Sequence, residues 1–182
     1  VSACSRGQQW LQALGLLRGM RQHALRPTAI TYNTLISAGQ QAREWAWSLS
    51  CLADMEFQGI QLNLITFNAS ISACASGRQW ARGLHLLERM LLKSQRPDVV
   101  TFNSLISACS EDQQWLRALG LFDQLQRHGL EPDIVTHNSL ITVCDRVQHW
   151  AHALALWSQA ERSHLQSDAV TYGAAASACE KS

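Results

Sequence analysis

The sequence predicts an all-α fold, an α-solenoid of tandem helix-turn-helix units, and three observations carry that prediction. A period of 35 residues runs through the 182-residue chain without a gap. Inside each period two stretches place apolar residues at helical spacing. Residues that interrupt helices stand between the two stretches and after the second.

The period is written in several residue types at once. Trp10, Trp45, Trp80, Trp115 and Trp150 are each 35 residues apart, as are Thr31, Thr66, Thr101, Thr136 and Thr171. Leu14, Leu49, Leu84, Leu119 and Leu154 keep the same step, and so do Asn33, Asn68, Asn103 and Asn138. Residues 64–98 and 99–133 match at 14 of 35 positions.

Residues 99–133 serve as the type unit. Phe102, Leu105, Ile106 and Cys109 fall at i, i+3, i+4 and i+7, one face of a first helix. Ser110, Glu111 and Asp112 break the pattern. Trp115, Ala118, Leu119, Phe122 and Leu125 then form the stripe of a second helix, with the tryptophan expected to be buried. Gly129 suits a left-handed helix end, and Pro132 forbids continuation.

Whole units fall at residues 29–63, 64–98, 99–133 and 134–168, with partial units at 1–28 and 169–182. One hairpin cannot bury its stripe alone, so neighbours must stack. Small residues recur where helices approach: Ala38, Ala73 and Ala108 in first helices, Ala13, Ser48, Gly83, Ala118 and Ala153 in second helices. The first helices are expected to line the concave surface, the default binding face. The chain opens on Val1 without a Met, and the end units carry no polar cap, so it reads as a stretch of a longer protein.

Composition excludes several classes. Apolar residues make up 47% and charged residues 16%, enough to bury a core. A net charge of +1 gives no whole-chain field for a polyanion, although 13 of the 15 cations are arginines, which fork hydrogen bonds and stack. No apolar run is long enough to span a membrane, and no targeting segment is visible. Cys4, Cys74, Cys109, Cys144 and Cys179 share one phase of the period, and Cys51 stands alone. Equivalent atoms of stacked helices lie roughly 8–10 Å apart, too far for a disulfide. No CxxC or Cys-His cluster offers a metal site, so reduced buried thiols are expected and no cofactor is.

Val99-Val100-Thr101-Phe102-Asn103-Ser104-Leu105-Ile106, the Ala118–Phe122 run and the Gly129-to-Asp133 closure resemble the pentatricopeptide repeat family, in its plain 35-residue form. Ile30-Thr31-Tyr32-Asn33-Thr34-Leu35-Ile36 matches equally well. The tetratricopeptide repeat has a 34-residue period and a tryptophan in its first helix instead. The resemblance implies a right-handed superhelix that binds single-stranded RNA, one base per repeat.

The resemblance also implies the site residues. The bases would be read by Asn33 with Asn63, Asn68 with Asp98, Asn103 with Asp133, and Asn138 with Asp168. Ile30, Ile65, Val100, Val135 and Val170 would wedge between bases. Asn with Asp implies uracil, and Asn with Asn a pyrimidine, so the implied core site is 5′-(C/U)UUU-3′. Gly173 stands where Asn is expected, so the last partial unit would read nothing, and the partner of Thr28 would lie upstream of Val1.

This sequence departs from the family where a lysine usually meets the phosphates. The matching residues are Gln41, Ser76, Glu111 and Arg146, so Arg146 alone is basic and weak binding is implied. Leu62 and Ser167 replace the closing proline in two loops.

Other readings stand beside these. The asparagines could be structural, and Asp98, Asp133 and Asp168 could cap the following helices. His85, His137, His149, His152 and His164 read as surface or turn residues. The same concave face could instead hold a protein partner. No His-x-Glu with Cys-x-x-Cys pattern or acidic metal cluster is present, so no enzyme is expected from these residues. Mitochondrial or plastid location is implied by the resemblance alone.

Overall fold

The structure, a computed structural model, describes residues 12–162 apart from positions 13, 21 and 24, together with 171–173 and 176–177. Asp168, Val170, Trp10, Cys4, Cys179, His164 and Ser167 lie outside the described residues. The chain divides into two compact units, Val1–Arg96 and Pro97–Ser182.

The first unit contains α1 (Ala29–Gln41), α2 (Trp45–Phe57), α3 (Leu64–Ser76) and α4 (Trp80–Leu92). The second contains α5 (Val99–Glu111), α6 (Trp115–Arg127), α7 (Ile134–Arg146) and α8 (Trp150–Arg162). No described residue is in a strand. Each helix is 13 residues long, under four turns, too short to stand alone in water. Packing supplies the rest. α1 lies against its hairpin partner α2 and against the next first helix, α3, while α2 also reaches α3 and α3 packs on α4. The second unit repeats this with α5, α6, α7 and α8.

The first-helix stripe is the core. Tyr32, Leu35 and Ile36 in α1, Phe67 and Ile71 in α3, and Phe102, Leu105, Ile106 and Cys109 in α5 are all buried. Burying each large side chain contributes roughly 1.5–3 kcal/mol. In α6 the buried face is shifted from the stripe read from the sequence. Leu121 is buried and Leu119 only half-buried, because α6 is covered from two sides, by α5 and by α7.

The helix ends are set by backbone geometry. The residue after each cap takes a left-handed conformation, at Arg43, Gly59, Arg78, Ser94, Gln113, Gly129 and Gln148. The next N–H then bonds back five residues, as Ile60 N to Met55 O at 2.9 Å and Glu44 N to Gly39 O at 2.8 Å. Glycine serves at Gly59 and Gly129, but the turn inside every hairpin uses arginine or glutamine at a cost of roughly 1 kcal/mol.

Cys51, Cys74, Cys109 and Cys144 are buried thiols that form no disulfide. Burial pushes the Cys74, Cys109 and Cys144 thiols up to about 11. Gly39 breaks this cysteine phase for a steric reason. A Cβ there would meet Ser48 Oγ at 2.5 Å, whereas the repeats with cysteine have Gly83, Ala118 or Ala153 in the place of Ser48.

Two expectations are corrected. The tryptophans that open the second helices are not buried: Trp45, Trp80 and Trp115 are half-buried, and Trp150 is 44% exposed. Trp45 and Trp115 are each covered from one side by the following hairpin. The Arg82 guanidinium lies 4.6 Å from the Trp45 ring, and His149 lies 4.2 Å from Trp115. His137 is not a surface residue either. It is 2% exposed, fills the slot held elsewhere by Tyr32, Phe67 and Phe102, and meets the Phe122 ring edge-on at 5.8 Å.

Candidate functional site

Each first helix starts the same way. The N-cap residue is extended, and its side-chain oxygen accepts the N–H of the threonine three places on. Asn63 accepts from Thr66 N at 3.0 Å, Asp98 from Thr101 N at 2.9 Å, and Asp133 from Thr136 N at 2.8 Å. Thr28 does the same for Thr31 at 3.4 Å. The residues at 63, 98 and 133 are therefore caps, as the alternative reading had it for Asp98 and Asp133.

Capping fixes what the first two turns present. The residue two after the cap points outward: Ile30, Ile65, Val100 and Val135 are 52–78% exposed. The asparagine three residues further on shares that face. Asn33, Asn68, Asn103 and Asn138 are half-buried there. Each helix thus carries an exposed β-branched side chain beside a part-covered amide, backed by a buried ring.

In the first unit the Thr66 hydroxyl lies 2.8 Å from Asn33 Oδ1 and 2.9 Å from Asn63 Oδ1. The two amides meet through that hydroxyl. Asn68 belongs to this unit and Asp98 to the other. In the second unit the amide of Asn103 donates directly to both oxygens of Asp133, at 3.0 and 3.2 Å, while its Oδ1 accepts the Thr136 hydroxyl at 2.6 Å. Asn138 Oδ1 accepts the Thr171 hydroxyl at 2.6 Å.

Partial burial pushes the Asp133 carboxyl up, but the Thr136 N–H and hydroxyl, the Asn103 amide and the Val135 N–H outweigh it and hold it below the ordinary value of 3.8. Asp133 is thus a fixed anion at neutral pH. A single N–H can serve both of its oxygens, which leaves Asn103 one N–H and one oxygen lone pair for a ligand.

Arg146 is exposed, and its guanidinium donates to the Ser110 carbonyl at 3.0 Å. That bond aims the side chain along the end of α5. Among the described residues no group of three or more His, Cys, Asp or Glu is placed to hold a metal ion, and no helix is long and apolar enough to cross a membrane.

The sequence reading missed the threonines. They were visible as a 35-residue phase, yet the Thr66 and Thr136 hydroxyls join the cap of one first helix to the asparagine of the preceding first helix, and Thr171 reaches Asn138.

Family models match two stretches of the chain. The PPR repeat family matches residues 97–146 and the pentatricopeptide repeat domain matches residues 50–112, together more than half of the chain. None of the curated proteins matches. Among solved structures, the chain is similar to the pentatricopeptide repeat protein PPR10 in complex with an 18-nucleotide psaJ RNA element, with 29% identity and a TM-score of 0.81 over 98% of this chain. It spans 26% of the PPR10 chain in that complex. PPR10 from maize matches at 25% identity and a TM-score of 0.77 over 96% of this chain and 25% of that one. The PPR domain of the Arabidopsis thaliana protein-only RNase P 1, in complex with tRNA, has the same fold at 12% identity, with a TM-score of 0.81 over 97% of this chain and 93% of that chain.

Proposed function

The chain belongs to the pentatricopeptide repeat family, and from that premise we propose that it binds single-stranded RNA without transforming it, one nucleotide to each helix hairpin. The repeats are taken as residues 29–63, 64–98, 99–133 and 134–168, and an organellar transcript as the target. The observation that carries the reading is the recurring layer: an exposed Ile or Val, a part-covered Asn amide, and a cap residue within hydrogen-bond reach of it or joined to it through a threonine. PPR10, similar over nearly the whole of this chain, was solved on an RNA element.

The proposed roles follow from the chemistry. Ile30, Ile65, Val100, Val135 and Val170 wedge between bases, being stiff as well as apolar. Asn33, Asn68, Asn103 and Asn138 face the base edges, since an amide both donates and accepts. Asp98, Asp133 and Asp168 hold or supplement the amide and favour uracil, with its N3 proton, while Asn63 allows cytosine or uracil. The proposed site is 5′-(C/U)UUU-3′, and Arg146 is the proposed phosphate contact.

Titration of the chain with homopolymeric RNA tests this. Poly(U) is expected to bind above poly(A) and poly(G), with affinity falling as salt rises by a log–log slope of roughly −0.7 per phosphate neutralised. Equal affinity for all four homopolymers would overturn the assigned pairs.

A further inference from the structure

Resting on the RNA-binding reading, we propose that the threonine opening each following helix is a positioning residue for base choice: Thr66 for Asn33, Thr136 for Asn103 and Thr171 for Asn138. Each hydroxyl decides which end of the preceding asparagine amide faces the base.

The terminal torsion of asparagine has two broad wells related by a half-turn, and a flip exchanges its oxygen for its NH2. That exchange reverses the pattern shown to a pyrimidine. Uracil presents an N–H at N3 where cytosine presents a lone pair, so an unheld amide serves both. Something must hold it for a preference to exist.

The hydroxyl does so in both units. It lies 2.8, 2.6 and 2.6 Å from Oδ1 of Asn33, Asn103 and Asn138. Those lengths belong to O–H···O bonds, whose usual separation is about 2.7–2.8 Å, and are short for an amide N–H donor at about 2.9–3.0 Å. Two oxygens at 2.6 Å also need a proton between them. The Thr136 hydroxyl stands within hydrogen-bond reach of Asn103 Oδ1, at 2.6 Å, and of Asp133 Oδ1, at 2.8 Å, so its one proton is shared between them with the shorter contact on Asn103. The hydroxyl oxygen is held in turn by the Asp133 N–H at 3.2 Å. Asn103 is thereby fixed at both ends, its oxygen by a donor and its nitrogen by an acceptor-only carboxylate.

The consequence concerns the reading unit itself. Thr136 belongs to α7, the first helix of the hairpin after the one that carries Asn103, so the base choice of one hairpin depends on the first turn of the next. Moving or replacing one repeat then alters the preference of the repeat before it.

The test uses Thr136→Val and Thr136→Ser in the full chain, with RNAs that carry U or C at one nucleotide at a time. Valine keeps the shape and removes the proton, and serine returns it. The wild type is expected to prefer U at the nucleotide read by Asn103. Thr136→Val is expected to lower that U/C ratio by about tenfold, the effect of one hydrogen bond, with the other nucleotides unchanged. Thr136→Ser is expected to restore it to within about twofold. A loss of helix capping cancels in a ratio measured on one folded protein. If Thr136→Val is too unstable to measure, Thr171→Val is read out through Asn138. An unchanged ratio overturns the proposal while the RNA reading stands, and so does a loss of preference at every nucleotide. A wild type with no base preference removes the RNA reading and this proposal together.

Discussion

The Asn33 layer and the Asn103 layer are built on the same helix start and differ at the cap. Asn63 and Asn33 are joined by the Thr66 hydroxyl, while Asp133 takes the Asn103 amide directly on both oxygens. An asparagine cap satisfies the helix N-terminus as well as an aspartate does, so stability alone does not choose between them. The choice shows in the amide. Beside Asp133 it is anchored by a charge, and beside Asn63 it is held through one neutral hydroxyl.

Exchanging the two caps is the strongest way to break this contrast. Asp133→Asn removes a hydrogen bond to a charged group, a loss of about 1.5–3 kcal/mol in holding the amide, so uracil preference at that nucleotide should fall by roughly tenfold or more. Asn63→Asp should raise uracil over cytosine at the nucleotide read by Asn33. Binding titrations on RNAs varied at one position check both, and a uniform change at all positions would contradict the layer assignment.

His137→Phe sharpens the comparison between layers. His137 Nε2 is buried with no hydrogen-bond partner, in a slot where the other described repeats hold Tyr32, Phe67 or Phe102. Its Nδ1 faces the Asp133 carbonyl, which already accepts the His137 backbone N–H. Removing an unsatisfied buried nitrogen should stabilise the chain by about 1 kcal/mol and raise the melting temperature by roughly 2–4 °C. An unchanged or lower melting temperature would show that the Nδ1 contact outweighs the orphaned nitrogen.

The smallest effect is acid sensitivity. The Asp133 carboxyl is held below its ordinary value, so the stability it contributes is complete above 3.8 and is lost as pH falls through its lower folded value. Glu56 behaves alike below 4.5: burial raises it, and Lys93 and Arg89 outweigh that. Urea midpoints followed from pH 6 to pH 3 should therefore fall less steeply for Asp133→Asn than for the wild type. Equal slopes would mean that Asp133 titrates alike in the folded and unfolded chain.

Repetition made the fold legible. Among the described residues the period located four hairpins, and the spacing of Phe102, Leu105, Ile106 and Cys109 named a face that is buried. Features without a residue-type signature stayed hidden. Arg43, Arg78, Gln113 and Gln148 adopt the left-handed conformation although none is glycine, because backbone bonds over-determine the helix end. Trp45 and Trp115 read as core by periodicity, yet they lie at the seam between hairpins, where Arg82 and His149 cover only one side. His137 read as polar and therefore exposed, although the slot it fills is set by its neighbours' burial. The threonines were conspicuous by phase, but what their hydroxyls touch depends on how consecutive first helices stack.

The most direct measurement of the central claim is the base preference of Asn103→Thr, read one nucleotide at a time. One amide per hairpin predicts that uracil preference is lost at a single nucleotide and kept at the others. Preference lost evenly along the RNA, or not lost at all, would contradict it.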